Sequence, residues 1–294
     1  MNLNLQKSFE EQAPDSPGKL FLVATPIGNL EDMTYRAVRI LQEADLIAAE
    51  DTRQTRKLLA HFEITNKKLF SYHEHNKAAS GPELIRYIIE GKNLALVSDA
   101  GLPAISDPGS DLVKLALEAG ISVIPVPGAN AALSALIVSG LGTERFQFLG
   151  FLPREKRAKE EQLRSVEDYE GSILLYESPH RVMKTLEAIL EVLGDRSVTL
   201  ARELTKRYEE IARGTASSCL KHLEEHPPLG EYCIVIGGAE AEEVQQRRDA
   251  WWQNLTLEEH VGHYVEEGLD RKEAMKRTAG DRGVSKRDIY NALL

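Results

Sequence analysis

The chain reads as an α/β protein with two α/β domains followed by a small helical segment, and three observations lead there. From Leu20 onward, short apolar runs alternate with amphipathic helical patterns; a second such series begins after Gly140-Leu-Gly-Thr143; and past Gly237-Gly238 the strand pattern stops. Alternation of this kind predicts βαβ units and a mostly parallel sheet.

The elements follow in order. Residues 1–19 read as a flexible polar tail, with Glu10, Glu11 and Asp15 where a signal peptide needs a basic end and an apolar core. Residues 20–142 form an N-terminal α/β domain. Its strands are expected at Leu20–Ala24, Leu46–Ala49, Leu69–Tyr72, Leu94–Val97 and Ile121–Val126, and its helices at Tyr35–Gln42, Thr55–His61, Pro82–Glu90 and Asp111–Ala119. Ala129–Ser139, small and apolar, reads as a further helix packed closely on that sheet. Residues 143–238 form a second α/β domain with runs at Phe146–Phe151, Ile173–Tyr176, Val198–Arg202, Tyr208–Arg213 and Tyr232–Gly237. Val198–Arg202 and Tyr208–Arg213 lie too close for a crossover helix, so they should pair antiparallel and make this sheet mixed. Residues 239–294 begin as an acidic linker (Glu240, Glu242, Glu243). They continue as short helices carrying Arg271, Lys272, Lys276, Arg277, Arg282, Lys286 and Arg287.

Composition narrows the function. At 294 residues and 42% hydrophobic content the chain can bury sizeable cores. A formal net charge of -10 argues against a general nucleic-acid binder, though a local basic face remains compatible with it. Cys219 and Cys233 lack the spacing of a zinc site or disulfide framework, and no apolar run approaches a membrane span. A reducing cytoplasm fits these features. His222-Leu-Glu-Glu-His226 and His73-Glu-His75 lack further ligands in pattern, so no metal is assigned.

The richest loop is Ser98–Gly109, where Asp99, Gly101, Pro103, Asp107, Pro108 and Gly109 crowd behind an apolar strand. Loops at strand carboxyl ends are where open α/β sheets bind ligands. Asp99 is the expected acidic anchor, while Asp107 can serve the turn before Pro108. The first strand ends in Ala24-Thr-Pro-Ile-Gly-Asn, neither G-x-G-x-x-G nor a phosphate-binding P-loop, which argues against NAD and nucleoside triphosphates. In Ala48-Ala-Glu-Asp-Thr-Arg53, Asp51 can cap a helix or serve a ligand; Glu50 and Arg53 lean to function because their strand end faces the Ser98–Gly109 edge. After the fifth strand, Gly128 permits a tight turn. Either a flat ring lies on the backbone there, or helix and strand simply pack closely.

Taken together, VATPIGNLEDMTYRA (Val23–Ala37), AAEDTR (Ala48–Arg53), SDAGLPAISDPG (Ser98–Gly109) and VPGANA (Val126–Ala131) resemble the tetrapyrrole methylase superfamily. The likeness continues through FLGFLPR (Phe148–Arg154), YESPHR (Tyr176–Arg181) and ARELTK (Ala201–Lys206). Within the superfamily it is closest to the branch that methylates the ribose 2'-hydroxyl of a cytidine in the decoding region of 16S rRNA. That resemblance implies S-adenosylmethionine held in a cleft between the two α/β domains of a homodimer, with 16S rRNA or the small ribosomal subunit as partner. Carried over by position, the cofactor would meet Pro26, Ser98, Asp99, Ala100, Gly101, Leu102, Ser106, Gly128, Ala129, Asn130, Ala131 and Tyr176.

Methyl transfer to a ribose hydroxyl needs alignment and removal of a poorly acidic proton. Glu177, Glu203 and Lys206 end second-domain strands and Glu50 faces them, with Lys206 and Glu203 the leading pair. A lysine serves as base only if burial or a neighbouring cation lowers its pKa; the alternative for any member is an interdomain ion-pair network. Arg53, Arg56, Lys57, Arg154, Lys156, Arg157 and Lys159 are the expected RNA contacts, against the reading of a solvated helix face. Two rival functions stand beside this one: a corrin or porphyrin-precursor methyltransferase of the same fold, and a non-catalytic ribosome-binding protein.

Overall fold

A computed structural model describes residues 5–8, 16–242, 244 and 251–293. Glu10, Glu11, Asp15 and Glu243 lie outside the described residues. Two compact units result: one within Met1–Ser165 and Gly171–Gly237, the other within Val166–Glu170 and Gly238–Leu294.

The first unit holds two five-stranded sheets. The first comprises β1 (Leu20–Val23), β2 (Leu46–Ala49), β3 (Lys68–Ser71), β4 (Leu94–Val97) and β5 (Val123–Val126), ordered β3-β2-β4-β1-β5. Every pair is parallel. Both faces are covered: Leu20, Leu46 and Leu94 pack with Leu84, Ile88 and Leu112, while Val23, Ile47 and Val97 pack with Ile40, Leu41 and Leu59. Burial on both faces is why these strands appear in sequence as unbroken apolar runs. Helices α1 (Tyr35–Glu43), α2 (Thr52–His61), α3 (Lys77–Ile89), α4 (Gly109–Glu118) and α5 (Ala131–Ser139) complete this series. Helix α2 starts at Thr52 because Asp51 caps it by accepting the Arg53 N–H. Helix α3 begins five residues before Pro82, which the helix accommodates internally.

The second sheet comprises β6 (Phe146–Phe151), β7 (Ser172–Glu177), β8 (Ser197–Arg202), β9 (Glu210–Thr215) and β10 (Tyr232–Ile236), ordered β6-β7-β10-β8-β9. Only β6 and β7 run parallel; β10 is antiparallel to both β7 and β8, and β8 pairs antiparallel with β9. Its helices are α6 (Lys156–Arg164), α7 (Val182–Leu193) and α8 (Ala216–Glu225). One expectation needs correcting. Helix α5, which follows the first sheet, lays Ala132, Ala135 and Leu136 on Leu174, Ala201, Cys233 and Val235 of the second. Small residues permit that close approach, and the helix thus ties the two sheets together.

The second unit contains α9 (Leu257–Glu266), α10 (Arg271–Asp281) and α11 (Lys286–Ala292) around Val261, Tyr264, Ala274 and Ile289. No helix among the described residues is long and apolar enough to cross a membrane.

Candidate active site

Strand order explains why the first sheet's motif loops converge. Strands β2, β4, β1 and β5 are successive neighbours, so the loops after Ala49, Val97, Val23 and Val126 share one edge. The β1 and β4 loops are stitched together: Thr25 and Gly101 exchange backbone hydrogen bonds at 2.9 and 3.0 Å, and Thr25 Oγ1 donates to Ser98 O at 3.3 Å. The Ser98 hydroxyl donates within its own loop, to Ala100 O at 3.1 Å. Asp107 closes the far side by accepting the Ala104 and Gly109 N–H groups at 2.9 and 2.7 Å.

A cavity of about 220 Å³ opens between this edge and the second sheet. Ala100, Gly101, Leu102, Asn130 and Ala131 line it from the first sheet's loops, and Tyr176 from β7. Asn130 also caps α5 by accepting the Leu133 N–H at 2.9 Å. Beside it lies a second cavity of about 550 Å³, whose wall includes Pro26, Ser98, Asp99 and Lys57. Asp99 therefore faces this second space, and its Oδ1 already accepts the Asp51 N–H at 2.9 Å. Ser106, Gly128 and Ala129 are not among the lining residues of either cavity. Ile27, Ala100, Lys206 and Glu231 border both.

Lys206 stands at that junction. Its ammonium donates to Glu203 Oε1 at 2.9 Å and to Glu231 Oε2 at 2.8 Å. Glu203 Oε1 also accepts the Glu231 N–H at 2.9 Å. Glu203 (φ 51°) and Thr205 (φ 67°) hold left-handed backbone in the turn between β8 and β9, a conformation costing about 1–2 kcal/mol per residue. Two glycines clear space for the group: a Cβ on Gly28 would meet Lys206 Cγ at 2.3 Å, and one on Gly230 would meet the Glu203 carboxyl carbon at 2.5 Å. Such strain concentrates at functional sites.

The electrostatics of the cluster follow from its hydrogen bonds. Burial alone would lower the Lys206 pKa, but the hydrogen bonds to Glu231 and Glu203 outweigh it and hold the group above its usual range. Lys206 is therefore an ammonium, not a free base. Glu203 is pulled below the usual carboxylate range, chiefly by the Glu231 N–H and also by Lys206. Glu177 borders the cavity, but its carboxylate is turned into α7. It accepts from Thr185 Oγ1 at 2.8 Å and from Ser178 N–H at 2.9 Å, and pairs with Arg181 Nε at 3.2 Å. Glu50 sits apart from both cavity linings; partial burial and the charges of Asp99 and Asp107 raise its pKa. Of the four predicted catalytic groups, the structure thus joins Lys206 and Glu203 and adds Glu231.

Glu231 escaped the sequence reading for a topological reason. Strand β10 runs against β7 and β8, so its amino-terminal end lies beside their carboxyl ends. Searching only loops after strands misses it.

The basic residues separate into distinct environments. Arg53 is exposed and pairs with Asp51 at 2.7 Å, holding that carboxyl down to about 2. Arg56 is exposed on α2, and Lys57 lines the larger cavity. On α6, Lys156 meets Glu160 and Glu191 at 3.4 and 3.3 Å, and Arg157 meets Glu161 at 3.0 Å. Lys159 is turned inward rather than lying on the exposed face: it is 6% exposed, and burial lowers its pKa. Arg154 lies exposed just before α6. Among the described residues, no group of three or more His, Cys, Asp or Glu is gathered as a metal site.

The smaller cavity's chemistry is restrained. Cys233, on its wall, is 3% exposed, and burial pushes its thiol up to about 12. Burial likewise raises the Tyr176 phenol, which accepts the Ala132 N–H at 3.3 Å. With Lys206 protonated as well, these groups present no thiolate, phenolate or free amine to the cavity.

Two α/β sheets, one parallel and one mixed, with a cavity at their joined edges define a class. Residues 19–219 match the family described as Tetrapyrrole (Corrin/Porphyrin) Methylases, and the chain belongs to that family. It is 53% identical over 289 residues to the ribosomal RNA small subunit methyltransferase I of Halalkalibacterium halodurans, covering 98% of each chain. It is 50% identical over 290 residues to the protein of that name from Bacillus subtilis, covering 99% of this chain and 98% of the relative. Among solved structures, a Thermus thermophilus uroporphyrin-III-C-methyltransferase superposes with a TM-score of 0.54 at 21% identity, covering 79% of this chain and 97% of that one. A cobalt precorrin-4 methyltransferase gives 0.58 at 18%, covering 74% and 94%. At such identities the structures speak for the fold.

Proposed function

We propose that this chain is an S-adenosylmethionine-dependent methyltransferase acting on small-subunit ribosomal RNA, and that it methylates the ribose 2'-hydroxyl of a cytidine in the decoding region of 16S rRNA. The observation that carries the reading is near full-length similarity, at 53% and 50% identity, to proteins named for that RNA. On this reading it works in the cytoplasm as a homodimer, for which Leu133, Ile137 and Val138, apolar and exposed on α5, offer a surface.

The residues present fit the methyl donor. S-adenosylmethionine supplies a methyl carbon activated by its sulfonium, which any stray thiolate or amine would consume. Cys233 kept as a thiol and Lys206 kept as an ammonium avoid that loss. Ala100, Gly101, Leu102, Asn130, Ala131 and Tyr176 would hold the cofactor in the smaller cavity, with the larger one free for the nucleotide.

At the junction, the Glu203 carboxylate takes the hydroxyl proton, Glu231 helps hold the Lys206 ammonium in place, and Lys206 stabilises negative charge developing on the ribose oxygen. Glu203 is ionised throughout the neutral range, so no prior deprotonation is needed. The test supplies labelled S-adenosylmethionine with 30S subunits, free 16S rRNA or a tetrapyrrole precursor. Label in 2'-O-methylcytidine is expected; label only in the tetrapyrrole, or in none of the three, overturns the reading.

A further inference from the structure

A separate pocket of about 370 Å³ is lined by Arg154, Lys156, Lys159 and Lys184, against Glu187 and Glu191. It lies among residues of α6, α7 and the segment leading into α6. Lys156 is already matched by Glu160 and Glu191. Arg154 and Lys184 are exposed and form no ion pair among the described residues.

Lys159 differs in kind. It is 6% exposed, and its Nζ reaches one hydroxyl, Thr185 Oγ1, at 3.4 Å. Thr185 gives its own proton to Glu177 Oε2, and Arg181 holds Glu177 Oε1. One buried carboxylate thus faces two cations, with Glu187 partly offsetting and Lys184 adding to the excess. A buried charge without a full partner is costly, and an incoming anion would complete the set.

We propose that this pocket is a phosphate site, and that the phosphate it takes is a backbone phosphodiester of the RNA substrate. Lys159 meets one phosphate oxygen from inside, while Arg154 and Lys184 close on the others from the rim. The path Lys159–Thr185–Glu177 then links the held backbone to the wall of the catalytic cavity, which Glu177 borders. The RNA half of the proposal rests on the function argued above; the phosphate half does not.

The experiment uses the full chain as wild type, R154Q/K184Q and Lys159→Met. Melting temperature is followed with inorganic phosphate against chloride at equal ionic strength, and affinity for a 16S rRNA fragment is followed against salt. Phosphate should raise the wild-type melting temperature and leave both variants unmoved. RNA affinity of R154Q/K184Q should fall about five- to tenfold, with the log–log salt slope shallower by about 0.7–0.9 for each phosphate the variant no longer neutralises. Lys159→Met should keep the wild-type melting temperature without phosphate, since it removes an under-partnered buried charge. That separates a lost site from a lost fold. A lost phosphate response with unchanged RNA affinity would overturn the RNA backbone as the source and leave a site for a free phosphate. No response in the wild type, or an equal response in all three proteins, overturns the site. Failure of the ribosomal RNA reading looks different: no methyl transfer, with the phosphate response intact.

Discussion

Lys159 is buried and Lys206 half-buried, so loss of water acts on both ammonium groups, yet their pKa values move in opposite directions. Lys206 is clasped by two carboxylates and is held above its ordinary range. Lys159 meets a hydroxyl, while the nearest buried carboxylate is committed to Arg181, and it is pushed below that range. Burial is common to both. What differs is the number of uncommitted negative charges facing each ammonium, and that number decides whether a lysine is a fixed cation or an unsatisfied one.

The most severe test of the contrast is catalytic. Lys206→Met and Glu203→Gln should each lower methyl transfer about 10²-fold or more, with a far smaller change in cofactor affinity by calorimetry. If Lys159→Met lost as much turnover, the two lysines would not differ in role. Glu231→Gln should cost about tenfold, because Glu203 remains to accept the proton; combining it with Glu203→Gln should add little if the two act as one unit. Unchanged turnover in all three single variants of the clasp would remove it from the mechanism.

A hydrogen bond deletion probes the other side. Thr185 is fully buried and bonded to both Lys159 and Glu177. Thr185→Val should destabilise the protein by about 1.5–3 kcal/mol, the range for a lost hydrogen bond to a charged group, read from denaturant unfolding.

The smallest effects are pH slopes of opposite sign. A raised lysine pKa means the folded state binds its proton more tightly, so Lys206 contributes stability that is complete below 10.5 and lost as pH climbs through the higher folded value. The deficit of Lys206→Met should therefore shrink above pH 10.5. For Lys159 the unfolded chain holds the proton more tightly, so its contribution improves as pH rises towards 10.5. Any advantage of Lys159→Met should be largest at lower pH and fade on that approach. Parallel slopes for the two variants in melting temperature against pH would break the comparison.

Much of the site was legible as linear motif. Ala100–Leu102 of the Ser98–Gly109 loop and the Asn130–Ala131 start of α5 lie on the smaller cavity, because in a parallel sheet every strand's carboxyl end faces one edge, and Tyr176 meets them from β7 of the second sheet. Where the second sheet turns antiparallel, that inference stops working, and Glu231 goes unseen. Lys159 is misplaced by sequence for a related reason. The run Lys156–Lys159 looks uniformly solvent-facing by charge, but the helix turns Lys159 inward towards α7 while its neighbours find carboxylates outside. Glu203 and Lys206 are close enough in sequence to be paired by eye, yet the protonation state of Lys206 depends equally on Glu231, which lies 25 residues further on.

Sequence alone is enough for the strand–helix alternation, the two series of elements, the mixed character of the second sheet, and the loops that meet at the cavity. Those depend on periodicity and on turn-forming residues, which act over a few neighbouring positions. Only packing decides which carboxylates share an ammonium, that α5 leaves its own sheet for the other, and that one lysine of a basic run lies inside. Charges separated by tens of residues interact only after folding sets their distance and their access to water, and both quantities are properties of the packed chain.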